Sequence, residues 1–136
     1  MQQGTLNISA LENAEKKLKE MLLRYEKESD DEAVRDSVIQ RFEFTYSIAL
    51  KTLRKYFIER AFVLEEVNQM SFNEMIRTAS QLNLLSSNLE KWTVFREMRN
   101  MTSHTYDEEI ALQVVSIIPD FSKEISFMIT RLKEFD

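Results

Sequence analysis

The chain has no cysteine, and it holds one glycine, one proline and one histidine among 136 residues. Without cysteine there is no disulfide framework, and no thiolate to bind a metal or to act as a nucleophile. A single glycine excludes a P-loop and a glycine-rich dinucleotide fingerprint. So little Gly and Pro leaves few places for the chain to turn, which argues for long helices and against a many-turned β fold. Long apolar runs are missing too, so no segment is expected to cross a membrane. The opening Met1-Gln2-Gln3-Gly4 has neither the basic nor the apolar region of a signal peptide. Positive charge is in short supply. Lys and Arg number 18 against 23 Asp and Glu, for a net charge of −5. That balance disfavours a general electrostatic grip on nucleic acid and restricts any such contact to local basic clusters. The expected location is the cytoplasm.

What is present suits one all-α domain over residues 1–136, with 43% apolar residues for a core and 30% charged residues to solvate it. Thr5 to about Glu28 reads as a first helix, because Ile8, Leu11, Leu18, Met21, Leu22 and Tyr25 share one face. Asp30 is its successor's candidate N-cap. The second helix, about Asp31 to Arg60, is the longest. Val38, Phe42, Thr45, Ala49, Thr52 and Tyr56 form one seam, and Ile39, Tyr46, Leu50, Leu53 and Phe57 form another beside it. A face this wide buries against more than one neighbour, as a central bundle helix would. The alternative is that part of the second seam serves as a dimer surface. From Arg35 to Arg60 this helix carries six basic residues and three acidic ones. A charged face is ordinarily solvated; the alternative is an anionic ligand or an acidic partner.

Residues 61 to 70 could continue that helix or turn off it. Ser71 and Glu74 form a capping-box pattern that opens a short helix. Asn88 is placed to cap the next one, with Leu89, Trp92 and Phe95 facing inward. Thr105 and Glu108 make a second capping-box pattern and start the last helix. Pro119 is expected to kink or split that helix, because it lacks an N–H and clashes with the preceding turn.

The segment Arg99-Asn100-Met101-Thr102-Ser103-His104-Thr105-Tyr106 contains the one histidine. On an unbroken helix Arg99 and His104 would point about 140° apart. Either the helix ends between them, or each meets its counterpart across a two-fold axis. The residue types suit phosphate. Arginine is a permanent planar donor fork, and histidine exchanges a proton near neutral pH. Together they have the minimum for metal-independent RNA cleavage: a base for the 2′-OH and a cation for the charge growing on the phosphorane. Tyr106 would sit near the first turn of a helix, as a ligand contact or a target for modification. The plain alternative for the whole segment is a structural or capping role.

Arg99-Asn100-x-x-x-His104-x-Tyr106 resembles the R-x4-H-x-Y signature of HEPN-domain proteins of the HepT type, long called nucleotidyltransferase substrate-binding proteins. The likeness extends to Arg41-Phe42-Glu43-Phe44-Thr45-Tyr46 and Ala49-Leu50-Lys51-Thr52-Leu53 in the second helix. It also takes in the flanks Phe95 to Glu109, and Ile117-Ile118-Pro119 followed by Phe121. One departure is Leu50, where many relatives carry a Trp after the Ala, which is a matter of packing. The resemblance implies an up-and-down four-helix bundle with an additional short helix, assembled as a homodimer. It implies a separately encoded minimal nucleotidyltransferase as partner. It further implies a cofactor-free ribonuclease toxin of a toxin–antitoxin pair, acting on RNA, with Arg99 and His104 catalytic and Asn100 supporting. The partner would neutralise it by AMPylation of Tyr106. This chain has no Gly-Ser followed by paired Asp, so the transferase activity belongs elsewhere. The older family name implies instead a non-catalytic subunit that presents substrate to the transferase.

Overall fold

The computed structural model of the protein describes residues 6–60 and 62–134. Among the described residues every regular element is helical: α1 (Ser9–Lys27), α2 (Glu32–Glu59), α3 (Leu64–Gln69), α4 (Phe72–Gln81), α5 (Leu89–Asn100) and α6 (Glu108–Glu134), with a 3₁₀ turn at Met101–His104 between the last two. The first helix starts at Ser9 rather than at Thr5, because Leu6 to Ile8 precede it without helical structure; Thr5 itself lies outside the described residues, as does Ala61.

Local chemistry sets most boundaries. Ser71 and Glu74 form the expected capping box at α4, each side chain accepting from the other's backbone N–H. Asn88 Oδ1 accepts from Lys91 N at 2.8 Å and starts α5. Two caps fall elsewhere than the sequence suggests. Asp31, not Asp30, caps α2, its carboxylate accepting from Ala33 N at 2.9 Å and Val34 N at 3.3 Å. Asp107, not Thr105, caps α6, accepting from Glu109 N at 3.0 Å and Ile110 N at 3.3 Å. The shift has a cause: Thr105 spends its hydroxyl on the Thr102 carbonyl at 3.2 Å. With glycine so scarce, Asn83 takes the left-handed position after α4, at φ 63°.

Pro119 lies inside α6, and the helix continues to Glu134 without being split. Its ring is on the exposed side. The buried side of the same stretch, Val114, Ile118 and Phe121, holds the helix against the core. Proline's cost is thereby overridden by tertiary packing.

The core forms where α2 meets α1, α5 and α6. Both predicted seams of α2 are buried, apart from Leu50, which is half-buried. Phe121 is the hub of an aromatic cluster. Its ring lies 4.9 Å from Phe42 and 5.3 Å from Phe95, in edge-on contacts. Residues at the ends tie the long helices together: Lys133 Nζ reaches Glu12 at 2.7 Å, and Arg35 Nη1 lies 3.6 Å from Glu108.

A second device holds the α4–α5 connection. Glu124 on α6 is 1% exposed, yet its carboxylate is satisfied. It accepts from Ser86 N at 3.0 Å, from the Ser86 hydroxyl, from Ser87 N at 3.1 Å and from Trp92 Nε1 at 2.7 Å. One buried carboxylate thus pins the turn before α5 and the first fully buried residue of α5. It sets where that helix sits, and therefore where its far end, at Arg99, emerges.

Candidate functional site

α5 ends at Asn100, one residue past Arg99. The chain then tightens into the 3₁₀ turn, turns again and enters α6. The helix end creates orphan carbonyls, and the motif's own hydroxyls answer them. Thr102 Oγ1 donates to the Arg99 carbonyl at 2.8 Å, and the Asp107 N–H donates to the His104 carbonyl at 3.1 Å. Arg99 and His104 therefore lie on opposite sides of a real helix end. Of the two arrangements open to the sequence, the interruption is present within one chain.

The side chains are presented outward. Asn100, His104 and Tyr106 are exposed, Tyr106 at 86%. The His104 and Tyr106 rings meet edge-on, 6.1 Å apart between centroids. Arg99 is brought elsewhere: its Nη2 lies 3.8 Å from Glu43 Oε2 on α2, both side chains being somewhat over one-third exposed. No hydrogen bond or ion pair joins Arg99 to His104 among the described residues. The structure thus pairs His104 with Tyr106 and Arg99 with Glu43, and it leaves Asn100 facing solvent. Beside the motif lies an open, polar cleft between α2 and the 3₁₀ turn, lined by Asp36, Ser37, Gln40, Glu43, Thr102 and Thr105. Among the described residues no group of carboxylates and histidine is placed to hold a metal ion.

Two neighbours escaped the reading of the motif. Glu43 is one. Tyr46 is the other: it is buried beneath the site, and its hydroxyl titration feels Arg96 and Arg99. Burial pushes the phenol up from 10.0 to about 12, and the two arginines pull the other way without winning. The available signal was spacing. Glu43 and Tyr46 stand at i and i+3 on α2 and so share a face. The stability tied to the neutral phenol is fully present below pH 10.0 and is lost as pH rises towards about 12. Tyr46→Phe is accordingly expected to weaken the dependence of the chemical-denaturation midpoint on pH above 10.0. An identical alkaline slope in both proteins would contradict the assignment.

An all-helical chain with an exposed Arg-x4-His-x-Tyr turn at a helix end defines the class of protein. The comparisons narrow it. Residues 6–134 match the family described as nucleotidyltransferase substrate binding protein like. The chain is 36% identical over 96 residues to "Probable ribonuclease HepT" of Haemophilus influenzae, a match covering 71% of this chain and 65% of that protein. It also superimposes, with a TM-score of 0.87 and 29% identity, on a solved H. influenzae structure said to reveal the fold of a substrate binding domain of a nucleotidyltransferase. That likeness covers 93% of this chain and 99% of the other. The chain belongs to the nucleotidyltransferase substrate-binding protein family, to which the HepT-type proteins belong. No described helix is long and apolar enough to cross a membrane.

Proposed function

We propose that this chain is a HEPN-type endoribonuclease, the toxin of a toxin–antitoxin pair whose other member is a separately encoded minimal nucleotidyltransferase. On this reading residues 1–136 form one cytoplasmic domain, an up-and-down four-helix bundle that works as a homodimer. The observation that carries the reading is the helix end between Arg99 and His104, which sets a partly exposed permanent cation on the last turn of α5 and an exposed proton-exchanging ring on the 3₁₀ turn that follows. The name of the H. influenzae relative, a probable ribonuclease, points the same way.

In the reaction His104 takes the proton of a ribose 2′-OH. The 2′-oxygen attacks the adjacent phosphorus, and the bond to the 5′-oxygen breaks. The leaving 5′-oxygen takes up a proton from water, and a 2′,3′-cyclic phosphate remains. Arg99 supplies two donors to the phosphorane oxygens, which its planar fork matches. To do so it exchanges Glu43 for the phosphate. Asn100 adds a polar contact at the end of α5. Neither step needs a metal.

Neutralisation falls to Tyr106. Its phenol oxygen attacks the α-phosphorus of ATP in the partner's active site, pyrophosphate leaves, and the phenolic proton passes to the partner. The exposure of Tyr106 suits access by another protein. An adenylate there would place a phosphodiester anion beside His104, where the RNA phosphate has to sit.

Expression of the chain without its partner is expected to stop growth, and His104→Ala to relieve the arrest. Incubation with partner and ATP should add one adenylate to the wild type and none to Tyr106→Phe. Equal toxicity of wild type and His104→Ala would overturn the nuclease reading, and labelling of the Phe variant would move the modification site. The second reading, a non-catalytic subunit that presents substrate to the transferase, is favoured by the description of the solved relative. It predicts no RNA cleavage by the purified chain, together with a transferase whose activity depends on adding it.

A further inference from the structure

One feature of α2 is left without a role by the motif chemistry. On its outward face the C-terminal half carries Lys51, Arg54 and Lys55, all exposed. Among the described residues none of the three has a carboxylate within ion-pair distance, although the chain as a whole carries a net charge of −5. Elsewhere on the surface Lys19, Lys91 and Lys133 each have such a partner. The N-terminal half of the same face is the reverse, with Asp36 and Glu43.

Helix geometry connects the unpaired cations to the motif. Arg54 follows Glu43 by eleven residues, which is three turns plus about 20°, so it lies below Glu43 on nearly the same line at a distance of about 16 Å. Lys51 falls between them in height, about 80° round the helix from Glu43. Glu43 is the residue beside Arg99. On α5, Arg96 precedes Arg99 by three residues, and both act on the Tyr46 hydroxyl, so Arg96 also borders the α2–α5 junction. It is exposed, and its guanidinium lies over the Phe72 ring at 4.9 Å, which steadies it.

From Arg99 and Arg96 at one end to Arg54, Lys51 and Lys55 at the other, we infer that this face is a phosphate-binding path for the backbone of single-stranded RNA, leading into the Arg99–His104 turn. The path rests on the ribonuclease reading. It has a direction: substrate leaves the turn towards the C-terminal end of α2, because Asp36 repels phosphates on the N-terminal side. An acidic protein segment could match the same charges. RNA is favoured because the row shares α2 with Glu43, the residue beside the arginine that the reaction needs. Such contacts confer affinity with little sequence selectivity.

The test uses a fluorescent oligo-uridine and the full-length His104→Ala protein, so that binding is read without cleavage. The triple charge reversal Lys51→Glu, Arg54→Glu and Lys55→Glu, in that background, is expected to weaken binding at least about 10-fold near 0.1 M salt. The slope of log affinity against log salt should shrink by about 2, three cations at about 0.7 each. The conservative set Lys51→Arg, Arg54→Lys and Lys55→Arg should restore both. An unchanged affinity and slope would overturn the path, as would a triple variant that binds RNA normally but no longer binds the nucleotidyltransferase, which would make the face a protein-docking surface. The two readings fail separately. With His104 intact, a triple variant that cleaves RNA as fast as wild type at sub-saturating substrate overturns the path and leaves the nuclease standing. Wild type that neither binds nor cleaves overturns both.

Discussion

His104→Ala is expected to lower the rate of RNA cleavage by about 10²–10⁴-fold, the range contributed by a positioned general base. The folded state should be unchanged. His104 is exposed and its ring makes one edge contact, with Tyr106. The turn around it is held by the hydroxyls of Thr102 and Thr105 and by the Asp107 N–H, not by the imidazole. A loss of cleavage with an unaltered circular dichroism spectrum and melting temperature therefore isolates the chemistry. Arg99→Ala should cost about 10²–10³-fold, as loss of one preorganised charge-stabilising group does. Arg99→Lys should recover only part of that, because an ammonium cannot present two donors in the plane of the phosphate oxygens. The double variant should be scarcely slower than the worse single one, since residues that act as one unit are not additive. Full activity of either alanine variant would remove that residue from the mechanism.

Glu124→Ala is expected to destabilise the protein by about 3–5 kcal/mol, although it lies far from the motif in sequence. The carboxylate is the acceptor for the Trp92 indole N–H and for the Ser86 and Ser87 amides. Trp92 is fully buried, so removing its acceptor leaves a donor that water cannot readily reach. Glu124→Gln should cost roughly half as much, because the amide keeps one acceptor oxygen but turns an NH₂ towards donors. A cycle with Trp92→Phe should show coupling of about 1–3 kcal/mol, read from urea midpoints at constant slope. Additive single effects would mean that the two side chains do not share a bond. The consequence reaches the site: with the start of α5 released, the end that presents Arg99 loses its fixed position, and cleavage should fall with stability.

The helices were legible because their signals are local. Ser71 and Glu74, or Asn88 and Lys91, lie three residues apart, and their bonds form within one turn. The two misplaced caps show the limit. Asp30 and Asp31 are chemically alike, and the choice between them depends on which backbone enters the helix. Thr105 had the right partner at Glu108 and was diverted by a closer carbonyl at Thr102. Pro119 obeyed the local rule only in facing outward; the buried residues around it kept the helix whole.

The motif was equally plain in the sequence, as residue types and spacing, with a helix end between Arg99 and His104 as one of its two possible arrangements. Glu124 left a trace there. It follows Phe121 by three residues and precedes Met128 by four, which places a carboxylate on an apolar face. Its donors lie 32 to 38 positions earlier in the chain, and nothing nearby announces them. Glu43 and Arg99 are likewise far apart in the chain, 56 positions from one to the other.

The sequence by itself determined the all-α class, the approximate helix bounds, the core faces and the identity of the motif. Each follows from interactions within about four residues, or from a periodicity that repeats along one helix. Only the tertiary structure decided that Arg99 rests against Glu43, that Tyr46 lies buried under two arginines and that Glu124 locks the approach to the site. Those partners come from different helices, and packing alone brings them within reach of one another.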